Sequence, residues 1–418
     1  MNGRQRVEAS FRAAAPRWRS IAILAPVLVA AGMDFAFSLP SDAAIYHHYV
    51  NQALTSPLFH ILPKEYPAGA LTIFLAPLLL PPSYIAGFAL LALAATMALL
   101  LCTDGLAAYP GWSRRSAIYL LVGTSGVLFS RYDIFPALAT FLAVEAARRD
   151  RWGRAWGWTI IGGLLKLFPL VLLPGFLLAE HARTGRWPLR RLGAACVPFG
   201  LVAGVQSALA PGSALSSLWY EARRGFGLES LAGNVTLIAD PLHVKWLFTY
   251  GSWEIVGAYH TVISLLVTVA MLGGLVAIWR FAAQGRLSVE ACSLAILSVA
   301  ILGDKAFSPQ YLIWLVPLWA YWPMRRGWLA AAALTTLVFP FLFIIQAKLT
   351  PYGFYPAAIG SVLRNLVLIV VTARWLREQV RARDVVVGPQ LQRHYPTVDR
   401  VRASLGSVRY ALRRTTGP

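Results

Sequence analysis

The residues best suited to chemistry stand directly after the first apolar run, in the stretch "SDAAIYHHYV" that begins at Ser41. Serine is a preferred helix cap, so Asp42 is predicted in the first turn of a helix, where the helix dipole favours a carboxylate. An ionised carboxylate at a membrane surface can accept a proton from an incoming hydroxyl group. A loop aspartate taken alone is more often a solvated cap, so the assignment of Asp42 as a general base depends on its surroundings.

The same helix is predicted to lie in the plane of the membrane interface with one apolar face. The residues of that face are Ile45, Tyr49, Val50, Ala53 and Leu54. Tyr46, His47 and His48 are candidates for contact with a substrate; the adjacent histidines point to different sides and cannot form a metal-binding pair. Asp34 in the first apolar run either supports Asp42 or bonds to a neighbouring helix.

Charged residues also stand at three turns between short apolar segments, in "FSRYDIFP", "LLKLFPLVLLP" and "LGDKAFSPQY". Ionisable groups at membrane depth are costly and usually functional. Cations at such turns can hold a phosphate and stabilise charge on a leaving group. The alternative is that the charges pair with one another and only hold helices together. The residues concerned are Arg131, Asp133, Lys166, Asp304 and Lys305.

The composition is typical of a membrane protein with many spans. Of 418 residues, 57% are hydrophobic and 13% are charged, against roughly a quarter charged in soluble domains. The net charge of +20 invites a nucleic-acid interpretation, which the distribution of the charges contradicts. Cys102, Cys196 and Cys292 lie far apart in apolar runs, so we interpret them as small buried hydrophobes rather than metal ligands.

Many apolar segments are too short for a full crossing, which takes about 20 residues, and the short ones come in pairs. The segments lie near 20–39, 67–80, 83–102, 116–130, 134–147, 156–166, 168–179, 192–210, 259–283, 291–303, 310–322, 328–346 and 357–376.

The positive-inside rule predicts on which side of the membrane the loops between these segments lie. With the N-terminus in the cytoplasm, 29 of the 33 arginines lie inside and all five lysines lie outside or in the membrane. This assignment requires 116–147 and 155–180 each to enter from the cytoplasm and return to it, with Arg131 and Asp133 reaching the outer side. Each arm of the first pair spans about 22 Å as a helix.

We therefore predict an all-α multi-pass membrane protein with about 9 to 13 membrane helices, including short re-entrant pairs. A cytoplasmic N-terminus (1–19) precedes the transmembrane domain (20–376), whose outer loops are 40–66 and 211–258. An arginine-rich tail (377–418) follows, either on anionic headgroups or disordered.

Six stretches in order resemble the integral-membrane GT-C glycosyltransferases, and most closely the family-87 polyprenol-phosphate-mannose-dependent mannosyltransferases. They are "SDAAIYHHY" followed by "EYPAGAL", "SRYDIFPAL", "GLLKLFPLVLLP", "RRGFGLESLAGN" and "KAFSPQYLIWLVPL". They cover most of the chain, from about residue 34 to 322. The first loop departs from the family's "YPPL" pattern by having "EYPAGAL", which leaves the acceptor side open.

The resemblance implies a GT-C-like bundle in the cell membrane with an active site on the extracytoplasmic face. It implies that Asp42 is the catalytic base, that a polyprenyl-phosphate sugar is the donor, with mannose as the sugar, and that a glycolipid or glycan is the acceptor. Since the outer loops hold no DxD motif, we expect no metal and no cofactor besides the lipid-linked donor. The predicted substrate-binding residues are Tyr46, His47, His48, Arg131, Asp133, Lys166, Glu229, Lys305 and Gln310.

The rival interpretation is a transporter or flippase for lipid-linked sugars or small anions, because broken helices with charges also suit alternating access. The lack of an inverted repeat, and the clustering of charge toward the outer face, count against it. Aromatic residues of the second outer loop are predicted to form an interfacial belt, with sugar stacking as the alternative. They are Trp219, Tyr220, Trp246, Tyr250 and Trp253.

Overall fold

The structure, a computed structural model, describes residues 42–55, 57–80, 83–104, 111–213, 215–249, 251–345 and 355–394. The predicted first helix with Asp34, the capping residue Ser41, Tyr250 and the end of the tail lie outside these residues. The described chain is mostly helical, with a few short strands.

Helices in the first half of the chain follow the predicted segments closely. They are α1 (Asp42–Leu54), α2 (Ala70–Leu75), α3 (Tyr84–Asp104), α4 (Trp112–Thr124), α5 (Ile134–Arg148), α6 (Trp152–Leu165), α7 (Leu173–Thr184) and α8 (Leu189–Leu209). The second half contains α9 (Ser216–Arg223), α10 (Leu231–Ala239), α11 (His260–Ala283), α12 (Val289–Gly303), α13 (Leu312–Trp319), α14 (Arg326–Thr336) and α15 (Tyr355–His394).

Within the described residues, five helices are long and apolar enough to cross a membrane, so the protein is a membrane protein. In the most apolar stretch of α8 only 11% of the residues are buried inside the protein, and in that of α11 only 17%. Apolar side chains left exposed on this scale are expected where lipid surrounds a helix. The five stretches are Tyr84–Leu101, Leu189–Leu209, His260–Ala283, Arg326–Ile345 and Tyr355–Ala382.

Each of the three short pairs predicted from the sequence corresponds to two helices in the structure, and their re-entrant course stays a prediction. Helices α4 and α5 are joined by the turn 125–133, and α6 and α7 by a break at Lys166 and a 3-10 turn, Phe168–Leu172. Helices α12 and α13 are joined by residues 304–311. The last pair is the core of the bundle, because every residue of Leu312–Trp319 is buried.

The second outer loop contains a small sheet that the all-α prediction did not include. Strand β3 (Ser252–Val256) pairs antiparallel with β1 (Phe226–Gly227) on one edge and with β2 (Lys245–Thr249) on the other. The loop is therefore a folded cap rather than a simple connector. Strand β1 contacts the turn 304–311 between α12 and α13, because the Gly227 N–H donates a hydrogen bond to the Lys305 carbonyl at 2.7 Å.

The last helix continues beyond the predicted boundary at 376 to His394. Glu378 pairs with Arg325 at 2.7 Å, and Gln379 accepts a hydrogen bond from Trp322 at 3.2 Å. The first part of the predicted tail is thus helical and contacts the loop before α14.

A labelling experiment tests the predicted sidedness of the short pairs. In a cysteine-free background, Arg186→Cys and Leu242→Cys both place a thiol at an exposed position. We expect an impermeant thiol reagent added outside intact cells to label position 242 and not position 186, because the positive-inside rule puts the arginine-rich 183–191 loop in the cytoplasm. Labelling of position 186 from outside would contradict this topology.

Candidate functional site

A salt bridge between Asp42 and Arg131 joins α1 to the turn between α4 and α5. Asp42 lies in the first turn of α1, and its Oδ2 forms a salt bridge with Nη1 of Arg131 from the turn between α4 and α5. Both side chains keep some solvent exposure, 14% for Asp42 and 18% for Arg131. The guanidinium favours the ionised carboxylate, which is the form a general base requires.

Helix α1 is present, and the face that it buries inside the protein differs from the apolar face predicted to lie in the membrane interface. Val50 and Ala53 are buried, whereas Ile45 and Leu54 are each 42% exposed. The buried face is instead formed by Ala43, Tyr46, Val50 and Ala53. Tyr46 is the largest side chain on the face that packs against the protein, and the interfacial apolar face stays a prediction.

Tyr46 lies in an aromatic cluster rather than on an open surface. Its ring stacks on Phe74 at a centroid distance of 4.3 Å and meets the edges of Tyr66 and Tyr132 at 5.8 Å each. Only 1% of Tyr46 is exposed. Its hydroxyl donates a long hydrogen bond of 3.4 Å to Asp42, so the residue supports Asp42 where direct contact with a substrate had been predicted.

Asp133 and Lys166 form a second ion pair, between the first and second turns. The Lys166 Nζ lies 2.8 Å from Asp133 Oδ1, and the Trp314 indole N–H donates to the same oxygen at 2.8 Å. Asp133 is 1% exposed. This is the pairing that the sequence left open as the alternative to substrate binding. Lys166 also lies 5.1 Å from the Trp314 ring centroid.

Lys305 differs from the other two basic residues of the turns. Its Nζ donates to the Ala222 carbonyl at 3.3 Å, and within the part of the chain that the structure describes it forms no ion pair. The adjacent Asp304 forms no ion pair with it, and its carboxylate accepts a hydrogen bond from the Ala306 N–H at 3.0 Å. Lys305 therefore keeps its charge available for an anion from outside the protein.

Glu229 is buried and paired with an arginine that the sequence analysis did not single out. Arg364, in α15, has no exposed surface and donates to Glu229 Oε2 at 2.8 Å and to the Glu229 carbonyl at 2.6 Å. The neighbouring Asn365 donates to the same carbonyl at 3.0 Å. The Arg364 guanidinium lies 3.9 Å from the ring centroid of Phe307. Glu229 thus fastens the second outer loop to the last helix.

The remaining predicted contacts lie at the edges of the site. His47 stacks on Tyr84 at 4.4 Å, and His48 is exposed, so the two rings diverge as expected. Gln310 is half-buried and accepts a hydrogen bond from Ser308 at 2.6 Å. Among the described belt aromatics, Trp219 is 58% exposed, whereas Tyr220 hydrogen-bonds to Glu65.

A cavity of about 290 Å³ lies where the second and third turns meet the two outer loops. It brings together residues from stretches far apart in the sequence. Two lysines, three carboxylates and several apolar side chains line it. The lining includes Glu65, Pro67, Lys166, Phe168, Val171, Ser217, Glu221, Leu297, Ile301, Asp304, Lys305, Tyr311 and Trp314.

Comparisons of the chain with protein-family models, with curated proteins and with solved structures gave no match. The site itself therefore carries the argument for function.

Three residues of the site were missed in the sequence. Arg364 interrupts the apolar run 357–376, and an arginine inside such a run is a signal for a buried partner. Glu65 and Glu221 had no such signal, because a single carboxylate in an outer loop resembles any solvated residue. Only the fold brings these two carboxylates to one cavity.

Proposed function

We propose that the protein is a membrane glycosyltransferase with a GT-C-like bundle. It moves a sugar from a polyprenyl-phosphate donor to a lipid or glycan acceptor on the outer face of the cell membrane, and the proposed sugar is mannose. Two observations support the proposal, an ion pair at Asp42 and a cavity lined by basic residues of two of the predicted turns. Asp42 pairs with Arg131, while Lys166 and Lys305 from two further turns line one cavity.

The reaction follows as a single displacement with inversion. The acceptor hydroxyl oxygen forms a bond to the anomeric carbon of the sugar as the bond from that carbon to the phosphate oxygen breaks. The hydroxyl proton passes to Asp42, and the polyprenyl phosphate leaves as an anion. General-base catalysis and stabilisation of the leaving phosphate are the two contributions that the protein supplies.

Arg131 and Lys305 are assigned to the donor phosphate. A guanidinium has five N–H donors, so Arg131 can hold both Asp42 and a phosphate oxygen. Lys305 has no anionic partner in the described chain and is partly open. Lys166, already paired with Asp133 at 2.8 Å, orients the second turn and is a weaker phosphate ligand.

The variant Lys305→Ala tests this assignment. We expect it to weaken binding of a polyprenyl-phosphate analogue by about 10-fold or more, because a charge-assisted hydrogen bond is worth about 1.5–3 kcal/mol. Thermal stability should change little, since Lys305 stabilises no buried charge.

The control for this test is Lys245→Ala, which removes an exposed lysine from the same outer side of the protein. The control should keep the wild-type affinity for the analogue. Equal affinity of wild type, Lys305→Ala and Arg131→Ala for the analogue would rule out the phosphate role.

A further inference from the structure

The cavity between the turns and the outer loops is the right size for one polar group. Ligand pockets in proteins usually measure about 300–1,000 Å³, so a volume of about 290 Å³ suits a single ring rather than a lipid chain. Neither Asp42 nor Arg131 lines it. Its lining adds Glu65, Glu221 and Asp304 to the residues assigned so far.

Several of the charged side chains that line the cavity are already paired with protein groups. Three carboxylates, those of Glu65, Glu221 and Asp304, face two lysines. Lys166 is already neutralised by Asp133 at 2.8 Å. Glu221 is likewise paired with Arg224 at 3.5 Å, so the part of the lining beside Lys305 suits an uncharged group.

Each carboxylate has protein partners and still has acceptor capacity. Glu65 accepts hydrogen bonds from Tyr49 and Tyr220, and Glu221 lies 3.5 Å from Arg224. An ionised carboxylate offers about four lone-pair positions, so each can accept more hydrogen bonds. Glu65 is half-buried, and this burial raises its pKa against the lowering effect of the two tyrosine hydroxyls.

The opposite part of the lining is apolar. Phe168, Val171, Leu297 and Ile301 contribute side chains to it. A hydrated metal ion gains nothing from such a wall, because ions such as Ca²⁺ and Mg²⁺ require oxygen ligands around them. A sugar ring has C–H groups for an apolar wall and hydroxyl donors for carboxylates, so it matches both parts.

We propose that this cavity binds the uncharged ring of a sugar, with Glu65, Glu221 and Asp304 accepting hydrogen bonds from its hydroxyl groups. The proposal rests on the proposed function, because the donor carries such a ring. Lys305 is part of the same lining, so the donor phosphate lies at that wall and the ring points inward. The three carboxylates then select among sugars, since a hydroxyl that is missing or inverted leaves its acceptor without that hydrogen bond.

The test measures binding of methyl glycosides of mannose, glucose and galactose to the full-length protein in lipid nanodiscs by saturation-transfer NMR. We expect at least one glycoside to bind the wild type. Glu65→Gln and Glu221→Gln should each raise its Kd by about 10-fold or more, since hydrogen bonds to charged groups are the strong ones. Glu221 is 42% exposed, so its variant is expected to fold.

The matched control is Asp150→Asn, an exposed carboxylate with a single partner, Arg183, at 3.7 Å; it should bind as the wild type does. Inorganic phosphate and choline serve as anionic and cationic probes. The proposal is overturned if no glycoside binds, if both Gln variants keep the wild-type Kd, or if choline or phosphate binds instead and responds to these substitutions.

This experiment also separates the two proposals. A protein that transfers sugar, but whose glycoside binding ignores Glu65 and Glu221, would retain the proposed function and lose the sugar cavity. A protein that binds glycosides through these carboxylates and transfers no sugar would retain the cavity and lose the transferase.

Discussion

Replacing Asp42 with Asn is expected to lower the rate of sugar transfer by about 10² to 10⁴-fold. The amide keeps the shape of the carboxyl group but cannot accept the proton of the acceptor hydroxyl. It also loses the charge that pairs with Arg131. The rate is measured as transfer of radiolabel from a polyprenyl-phosphate sugar by purified protein.

A structural role for Asp42 would give a different result. If the salt bridge only held α1 to the turn before α5, Asp42→Asn would lower thermal stability and lower activity in proportion to the folded fraction. The control variant Asp150→Asn removes an exposed carboxylate that contacts no residue of the site and should leave the rate unchanged. Folded Asp42→Asn protein with a rate within a few-fold of wild type would disprove the assignment.

The variant Arg364→Met is expected to lower the free energy of unfolding by about 3–5 kcal/mol, because removal of one partner leaves a buried charge uncompensated. The stranded group is the Glu229 carboxylate, whose side chain is only 10% exposed. The carbonyl of Glu229 also loses the hydrogen bond that Arg364 donates at 2.6 Å. Denaturant-induced unfolding monitored by tryptophan fluorescence measures the change.

Two further variants make this result specific. The double variant Glu229→Gln/Arg364→Met removes both charges, so it should recover part of the lost stability. Arg377→Met, at an exposed position of the same helix, should change stability by less than about 0.5 kcal/mol. A double variant no more stable than Arg364→Met would show that the ion pair does not account for the loss.

The helices of the bundle were largely predictable because apolar length and turn residues determine them locally. The short pairs around "FSRYDIFP" and "LGDKAFSPQY" end at charged or proline-containing turns, and the structure places helices α4–α5 and α12–α13 there. Helix α1 was predictable from Ser41 and Asp42 at its start. Its orientation was not, because Tyr46 packs on Phe74 and Tyr132, which are distant in the sequence.

The parts of the site that could not be predicted depend on contacts between distant segments. Glu229 and Arg364 are separated by 135 residues, and neither position alone indicates the other. The sheet of the second outer loop was missed because its strands are at most five residues long and the loop also contains helices. The cavity carboxylates Glu65 and Glu221 belong to different outer loops, so no local pattern joins them.

The central claim is sugar transfer from a lipid phosphate, and one measurement tests it most directly. Purified protein in nanodiscs is incubated with radiolabelled polyprenyl-phosphate-mannose and a membrane-lipid extract, and the labelled products are identified. The proposal predicts that wild-type protein moves the label to a new glycolipid or glycan and releases polyprenyl phosphate, and that Asp42→Asn does neither. Label that stays on the intact donor with wild-type protein, above all if that donor crosses the bilayer of a proteoliposome, would contradict a transferase and favour a transporter.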